Sequence, residues 1–494
     1  MFGWLKNAVA RSNRRRSLRA VHSPAHVRGR YDAAATTEEN RRHWANADLL
    51  SAGAANNPQV RRILRARARY EVANNSYARG IVTTLANDSI GTGPRLQMLT
   101  DDAEANRLIE QEFMAWADAV GLAEKLRTMR MARAQDGEAF AMLVANPKLD
   151  SLVKLDLRLI EADQVATPDL AHRLLDANAT DGIVFDAFGN PIEYHLLKSH
   201  PGDQRGHLSS DFDRVPASAM VHYLRADRPG QTRGIPEIMP ALPLFAQLRR
   251  YTLAVIAAAE TAADFAAVLF TDAPANGEAD PVEPMDLVEL ERRMATVLPG
   301  GWRLGQIQAE QPSTSYGEFK KEILNEIARC LSIPYNVAAC NSSGYNYASG
   351  RLDHQTYYKS IRVDQAQLAV VVLDRVLRAW LDEAVLISDF LPLWMRTVAF
   401  RDLPHQFFWD GMEHVDPAKE ASAQATRLAS HTTTLAYEYA RQGRDWESEL
   451  RQRGKELALM KQLGLAAEAS PPSDSANDQT EDEEETDDAE KQAA

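Results

Sequence analysis

The 494-residue sequence holds only two cysteines, Cys330 and Cys340, which excludes a disulfide-stapled secreted scaffold. No His/Cys group with zinc-ligand spacing surrounds them, so both are expected to be reduced thiols. No run of about 18 uncharged apolar residues occurs, so no membrane span is expected. The nearest candidate, residues 251–270, is interrupted by Glu260 and Asp264. The basic N-terminal stretch lacks an apolar run followed by a small-residue cleavage site, so no secretory signal is expected. Catalytic signatures are missing as well. Gly454-Lys455 has neither the earlier glycine nor the following Ser/Thr of a phosphate-binding loop. There is no H-E-x-x-H and no G-x-S-x-G, and Gly91-Thr92-Gly93 does not continue into a dinucleotide fingerprint.

What is present is an acidic chain of ordinary apolar content. The net charge is −13 and 45% of residues are hydrophobic, enough for several packed cores. Charge is placed unevenly. Residues 1–30 carry eight Lys or Arg and no acid, among them Arg14, Arg15, Arg16 and Arg19 beside His22 and His26. Residues 470–494 carry ten acids and one lysine. Both ends read as disordered, solvated arms. An acidic body argues against a tight grip on duplex DNA, because such grip comes from cations that displace counterions.

The first half reads as mixed helix and strand. Asn57-Pro58 opens a helix that is expected to pass Ile63, Tyr70, Ile81 and Leu85 and to stop near Asn87, before Gly91-Thr92-Gly93-Pro94. Arg61, Arg65 and Arg69 share one face of it. A solvated face is the default reading, and contact with an acidic neighbour is the alternative. Residues 104–134 are a second helical stretch. Strands are expected at 138–144, 154–160 and 219–224, with a hairpin turning at Phe188-Gly189-Asn190-Pro191.

Residues 237–270 are expected to form one long helix. Eight of its last twenty residues are alanine, the residue of highest helix propensity and one that allows close helix approach. Arg249, Glu260 and Asp264 fall on one polar stripe between small-residue flanks. Burial in a monomer core is one reading; packing among copies of itself explains the alanines better. A loop-rich acidic insert follows, then an amphipathic helix with Phe319, Ile323, Leu324, Ile327 and Leu331 on one side. The geometric reading is a helical hairpin with a small insert at its tip. Residues 335–350 read as an uncharged polar loop, and a long helix is expected from about 351 to 385. Short helices follow, one starting at Asp416-Pro417 and the last capped by Asp445. His405, Asp410, Glu413 and His414 form the densest metal-like cluster, with packed or exposed side chains as the default; Asp402 with Asp410 is too weak a pair to assign acid–base roles. Nothing in the sequence supports an enzyme, and no cofactor is expected.

Several segments, in order and spacing, resemble the portal proteins of tailed bacteriophages, specifically the lambda-type family. They are Asn74-Asn75-Ser76-Tyr77-Ala78-Arg79-Gly80 leading to Gly91-Thr92-Gly93-Pro94, Asp136-Gly137-Glu138-Ala139-Phe140, and Gly182 with Phe188-Gly189-Asn190-Pro191-Ile192. Further on come Arg228-Pro229-Gly230-Gln231-Thr232-Arg233-Gly234-Ile235-Pro236, Glu326-Ile327-Ala328-Arg329-Cys330-Leu331-Ser332-Ile333-Pro334, Ser349-Gly350-Arg351 and Val415-Asp416-Pro417-Ala418-Lys419-Glu420. The resemblance implies an α+β ring subunit: a basic arm (1–30), a mixed wing (31–236), a first stem helix (237–270), a small α/β clip (271–315), a second stem helix (316–334), a tunnel loop (335–350), a long helix with the remaining wing (351–414), a helical crown (415–469) and an acidic tail (470–494).

It also implies a ring, usually of twelve copies, at one capsid vertex of the virion, assembled in the host cytoplasm. Double-stranded DNA passes through it in packaging and ejection. The implied partners are the terminase large subunit, capsid and scaffolding proteins and head–tail connector proteins, with no membrane. Carried onto this chain, Asn341, Ser342, Ser343, Tyr345, Asn346 and Tyr347 face the tunnel. Lys320 and Lys321 are candidates for a positive band there, with a solvated helix face as the alternative. Ala254, Ala258, Ala262 and Ala266, with Arg249, Glu260 and Asp264, make the stem contact between subunits. Asp280, Glu283, Asp286 and Glu289 lie on the terminase-facing clip, with a solvated loop as the default. A metal-dependent nucleic-acid enzyme and another virion structural subunit are the competing readings.

Overall fold

A computed structural model describes residues 36–167, 179–203, 211–264, 268–271, 302–305, 315–411 and 417–465. The chain divides into two units, Met1–Ala55 and Asn56–Ala494. In the described part of the first, Thr37 and Asn40 exchange side-chain and backbone hydrogen bonds, and a single helical turn spans Ala52–Ala55.

The second unit opens with helix α1 (Pro58–Asn74). The Asn57 side chain accepts from the backbone N–H groups of Gln59 and Val60, and proline takes the first turn. The single helix expected here is two. Asn75 adopts extended backbone (φ −122°, ψ 118°) and its side chain caps α2 (Ser76–Ile90). Asparagine can end one helix and start the next because its side chain supplies the lost acceptor. Residues 104–134 likewise form two helices, α3 (Ala103–Ala119) and α4 (Leu122–Asp136), hinged at Gly121 with φ +63°.

Strand β1 (Arg95–Met98) lies between α2 and α3. Strands β2 (Glu138–Ala145), β3 (Leu155–Ile160) and β8 (Met220–Leu224) form an antiparallel sheet of order β3-β2-β8. The expected hairpin is present as β5 (Ile183–Phe185) and β6 (Pro191–Leu197). It sits within a four-stranded sheet whose edges are β4 (Ala179–Thr180) and β7 (Phe212–Pro216).

Helix α5 (Leu242–Asp264) is shorter than its alanine content implied. Val268–Thr271, whose first three residues were expected to be helical, is strand β9 and pairs antiparallel with β10 (Trp302–Gly305). Its β-branched and aromatic residues favour a pleated surface over a helix. Helix α6 (Ser315–Arg329) follows, so in the described chain α5 and α6 stand on either side of the β9–β10 pair in sequence. The polar loop is shorter than expected. Tyr335–Ala339 is a short helix, α7, and α8 (Tyr347–Leu368) starts early because Asn346 and Ser349 form a reciprocal capping box. The long helix passes through a π segment (Ala369–Leu373) into α9 (Asp374–Ala384). Strand β11 (His405–Phe408) pairs with β1. Helices α10 (Pro417–Ala429), α11 (Leu435–Arg441) and α12 (Trp446–Gln462) complete the described chain, with Asp445 capping the last.

Two large apolar clusters position everything else. One joins Phe113 and Trp116 of α3 to Val376 and Trp380 of α9. The other joins Ile81 and Leu85 of α2, Phe245 and Leu248 of α5, Leu324 and Ile327 of α6, and Tyr357 and Ile361 of α8. Each fully buried Leu, Ile or Phe contributes about 1.5–3 kcal/mol, so the base of the α5–α6 hairpin is firmly anchored.

Candidate functional site

The hairpin changes character along its length. At the base of α5, Phe245 and Leu248 are buried. Further along, Leu253 is 59% and Ile256 48% exposed, and Ala254 and Ala257 are exposed beside them. Ala258 is half-buried. The positions 249, 253, 256 and 260 repeat at helical spacing, so the stripe expected to be polar carries two bare aliphatic side chains between Arg249 and Glu260. Phe319 of α6 is 49% exposed and meets the Tyr251 ring edge-on at 4.8 Å. Tyr316 lies 5.7 Å from Tyr251 and donates to Thr252 Oγ1 at 3.3 Å. The two helices grip each other on one side and leave an apolar strip open on another. Ala262 and Asp264 lie in the last turn of α5, whereas Ala266 falls outside the described residues.

The candidate cations of the hairpin are held by tyrosines. Lys320 Nζ sits 5.1 Å over the Tyr77 ring and 5.7 Å over Tyr316. Burial lowers the pKa of this ammonium, but the contacts with Tyr77 and Tyr316 outweigh it and raise it. Lys321 lies 5.7 Å over Tyr335, and Arg249 5.8 Å over Tyr70. Cation–π contacts of this kind stabilise by about 0.5–1 kcal/mol at exposed sites. Lys320 is therefore partly occupied within its own chain.

Asn341, Ser342, Ser343 and Asn346 are exposed and Tyr345 is half-buried. The loop is shaped locally: Ser343 N donates to Asn341 Oδ1 at 2.9 Å, and Gly344 takes φ +84°. It carries no charged side chain. Tyr347 is the first residue of α8. The clip acids Asp280, Glu283, Asp286 and Glu289, the basic arm and the acidic tail lie outside the described residues.

The arginine face of α1 is not solvated. Arg61 and Arg65 are buried, and they enter an ionic core together with half-buried Arg69. Glu138, 0% exposed, pairs with Arg65 and accepts from Arg233 (Nη2, 2.7 Å), Gly234 N (2.8 Å) and His222 Nε2 (3.0 Å). Burial opposes ionisation of Glu138, but Arg233 and Arg65 outweigh it and hold the carboxyl well below its usual range. Arg65 also meets Asp163 at 3.1 Å, Arg69 meets Asp136 at 2.6 Å, and Arg61 pairs with Asp181. Gly137 and Gly234 touch so closely that a Cβ on either would clash with the other segment's backbone.

A second buried group ties α4 to the entry of α5 and to α8. Glu237 accepts from Arg130 (2.8 Å) and Arg133 (2.9 Å), and both arginines also reach Asp364. Burial raises the Glu237 pKa, but the two guanidiniums bring it down to about 2. The residues that fix the hairpin to the rest of the fold were thus visible only as separate arginines and acids. The i, i+4 row of Arg61, Arg65 and Arg69 was a signal for the first group alone.

Of the metal-like cluster, the two described members turn to other partners. His405 Nε2 faces Asp374 (3.3 Å) and its Nδ1 faces Leu403 O (2.8 Å), while Asp410 accepts from Thr92 Oγ1 at 2.6 Å. Asp402 is exposed beside Arg401. Glu413 and His414 lie outside the described residues. Among the described residues, one carboxylate–histidine group has metal-like spacing: Glu161, Asp163 and His200. Arg69 already pairs with both of its acids. No described helix is long and apolar enough to cross a membrane.

Residues 38–365 match the family model for phage portal proteins of the lambda family, and the chain belongs to that family. It is 27% identical over 433 residues to a probable portal protein of Halomonas phage phiHAP-1, covering 81% of each chain. Among solved structures, it is similar to a chain in the neck of an empty gene transfer agent particle (13% identity, 76% of this chain and 92% of that one, TM-score 0.42). It is also similar to one in the native neck computed with C12 symmetry (13% identity, 78% and 94%, TM-score 0.42).

Proposed function

We propose that copies of this chain, expected to number twelve, close into a ring at one capsid vertex, with the α5–α6 hairpins standing side by side around a channel for double-stranded DNA. The observation that carries this reading is the hairpin itself. Its base is locked by an apolar cluster and a buried ionic group, while Leu253, Ala254, Ile256 and Ala257 stay uncovered. A single copy gains nothing from leaving leucine and isoleucine in water at about 25 cal/mol per Å²; a neighbouring hairpin covers them. A closed ring needs heterologous contacts, two different faces of the chain that meet.

In this reading the protein is a structural conduit rather than an enzyme. The uncharged loop at 341–346 faces passing DNA, with Tyr347, Lys320 and Lys321 near it. A channel that DNA must slide through is better lined by neutral groups than by a continuous row of lysines, which would bind phosphates by counterion release. The acidic residues Asp280, Glu283, Asp286 and Glu289 meet the terminase large subunit, and capsid, scaffolding and connector proteins dock elsewhere on the ring. Assembly takes place in the host cytoplasm. Sedimentation of the purified protein tests the reading: one large discrete oligomer is expected, and monomers at every concentration and salt condition would overturn it.

A further inference from the structure

We propose that the outer face of α1, together with the base of α5, is a phosphate-binding surface for duplex DNA. The face is the solvent-exposed side of the helix, away from buried Arg61 and Arg65. Arg62, Ile63, Ala66, Arg67 and Tyr70 are exposed there, with Tyr70 55% exposed. Arg249 of α5 stacks over the Tyr70 ring and its Nη1 lies 3.4 Å from the tyrosine hydroxyl, which brings the two helices into one surface. Arg250 beside it is exposed too.

Three properties single this surface out in a chain of net charge −13. Neither helix adds an exposed carboxylate of its own to it: the one acid of α1, Glu71, is buried, and α5 has none before Glu260. Among the described residues, Arg62, Arg67 and Arg250 make no ion pair, although Arg61, Arg65 and Arg69 on the same helix all do. And every cation is arginine, whose planar fork pairs bidentately with phosphate oxygens. From residue 62 to residue 70 the helix rises about 12 Å, the axial length over which one DNA strand passes roughly three or four phosphates. An exposed tyrosine beside an arginine adds an apolar flank for a sugar–phosphate edge. Exposed arginines without an acidic partner repel one another unless an anion covers them, and a phosphate backbone supplies such anions. The assignment goes beyond the conduit reading, since it concerns a salt-dependent hold on phosphates and is measured in any oligomeric state.

The test is fluorescence anisotropy of a labelled 30-base-pair duplex against the full chain from 50 to 200 mM NaCl. It is run for wild type, for Arg62→Ala/Arg67→Ala/Arg249→Ala/Arg250→Ala, and for the same four positions changed to lysine. Each lost phosphate contact removes about 0.9 from the slope of log affinity against log salt. The alanine variant is therefore expected to lose about 3–4 from the slope and at least tenfold in affinity at 50 mM, while the lysine variant keeps most of the slope. All four side chains are exposed, so the unfolding midpoint should move by no more than the loss of the Arg249–Tyr70 contact accounts for, and sedimentation reports separately on the ring. An unchanged slope in the alanine variant overturns the proposal. So does wild-type binding of poly-glutamate as tight as binding of DNA, which would assign the face to an acidic protein instead.

Discussion

Changing Glu138→Gln tests the ionic core directly. The amide keeps the shape of the carboxylate but removes the charge that faces Arg65 and Arg233, which are 4% and 2% exposed. Stranding a buried charge costs about 3–5 kcal/mol. Here Asp163 still reaches Arg65 and Asp181 still reaches Arg233 at 3.2 Å, so the lower end, about 3 kcal/mol, is expected. Urea unfolding of the purified chain measures it, with Arg62→Ala as the control. Arg62 sits on the same helix but is exposed, and its loss should change stability by no more than about 0.5 kcal/mol. The pH dependence follows from the depressed Glu138 pKa. The stability it contributes is present above the unfolded carboxylate range and is lost as pH falls through the folded value, so the variant should lose less than wild type on acidification below about pH 4. A loss under about 1 kcal/mol at neutral pH, equal to that of the control, would refute the view that these arginines need their acid.

Glu110 makes the opposite case. Burial pushes its carboxyl up to about 7, with Asp445 and Glu447 adding to the shift. A raised acid weakens the fold as pH climbs from the unfolded value towards 7, so Glu110→Gln should raise stability at pH 8 by about 1 kcal/mol, discounted for its partial exposure, and leave it unchanged at pH 4, as read by thermal unfolding. Ala254→Trp places bulk on an exposed position of α5. The monomer is expected to fold with an unchanged melting curve while sedimentation shows lost or incomplete rings, and equal damage to both would contradict the stem reading. Removing residues 470–494 is expected to leave the sedimenting oligomer intact.

Much of the fold was legible because local chemistry decided it. Asn57-Pro58, Asp445 and the Phe188-Gly189-Asn190-Pro191 turn each act within a few residues, and each sits where the pattern placed it. The errors came where two local signals competed. Asn75 reads as one more helical residue until its side chain is seen capping α2, and the alanines hide the switch to a strand at Val268. Of the ionic core only the arginine row was legible, and the rest was hidden for a different reason. Arg65, Glu138 and Arg233 are separated by scores of residues, and nothing local says that an arginine on a regular helix faces inward. On the face of α5 that carries Arg249 and Glu260, the exposed Leu253 and Ile256 make the surface apolar as well as charged, which a reading of the charges alone passed over.

The most direct measurement is electron microscopy of the purified, assembled protein. Annular particles are expected, in which α5 helices of neighbouring copies touch through Leu253, Ala254, Ile256 and Ala257 around an opening that admits a double helix. Particles with no central opening, or a ring in which those side chains face solvent while some other element makes every contact between copies, would contradict the ring reading.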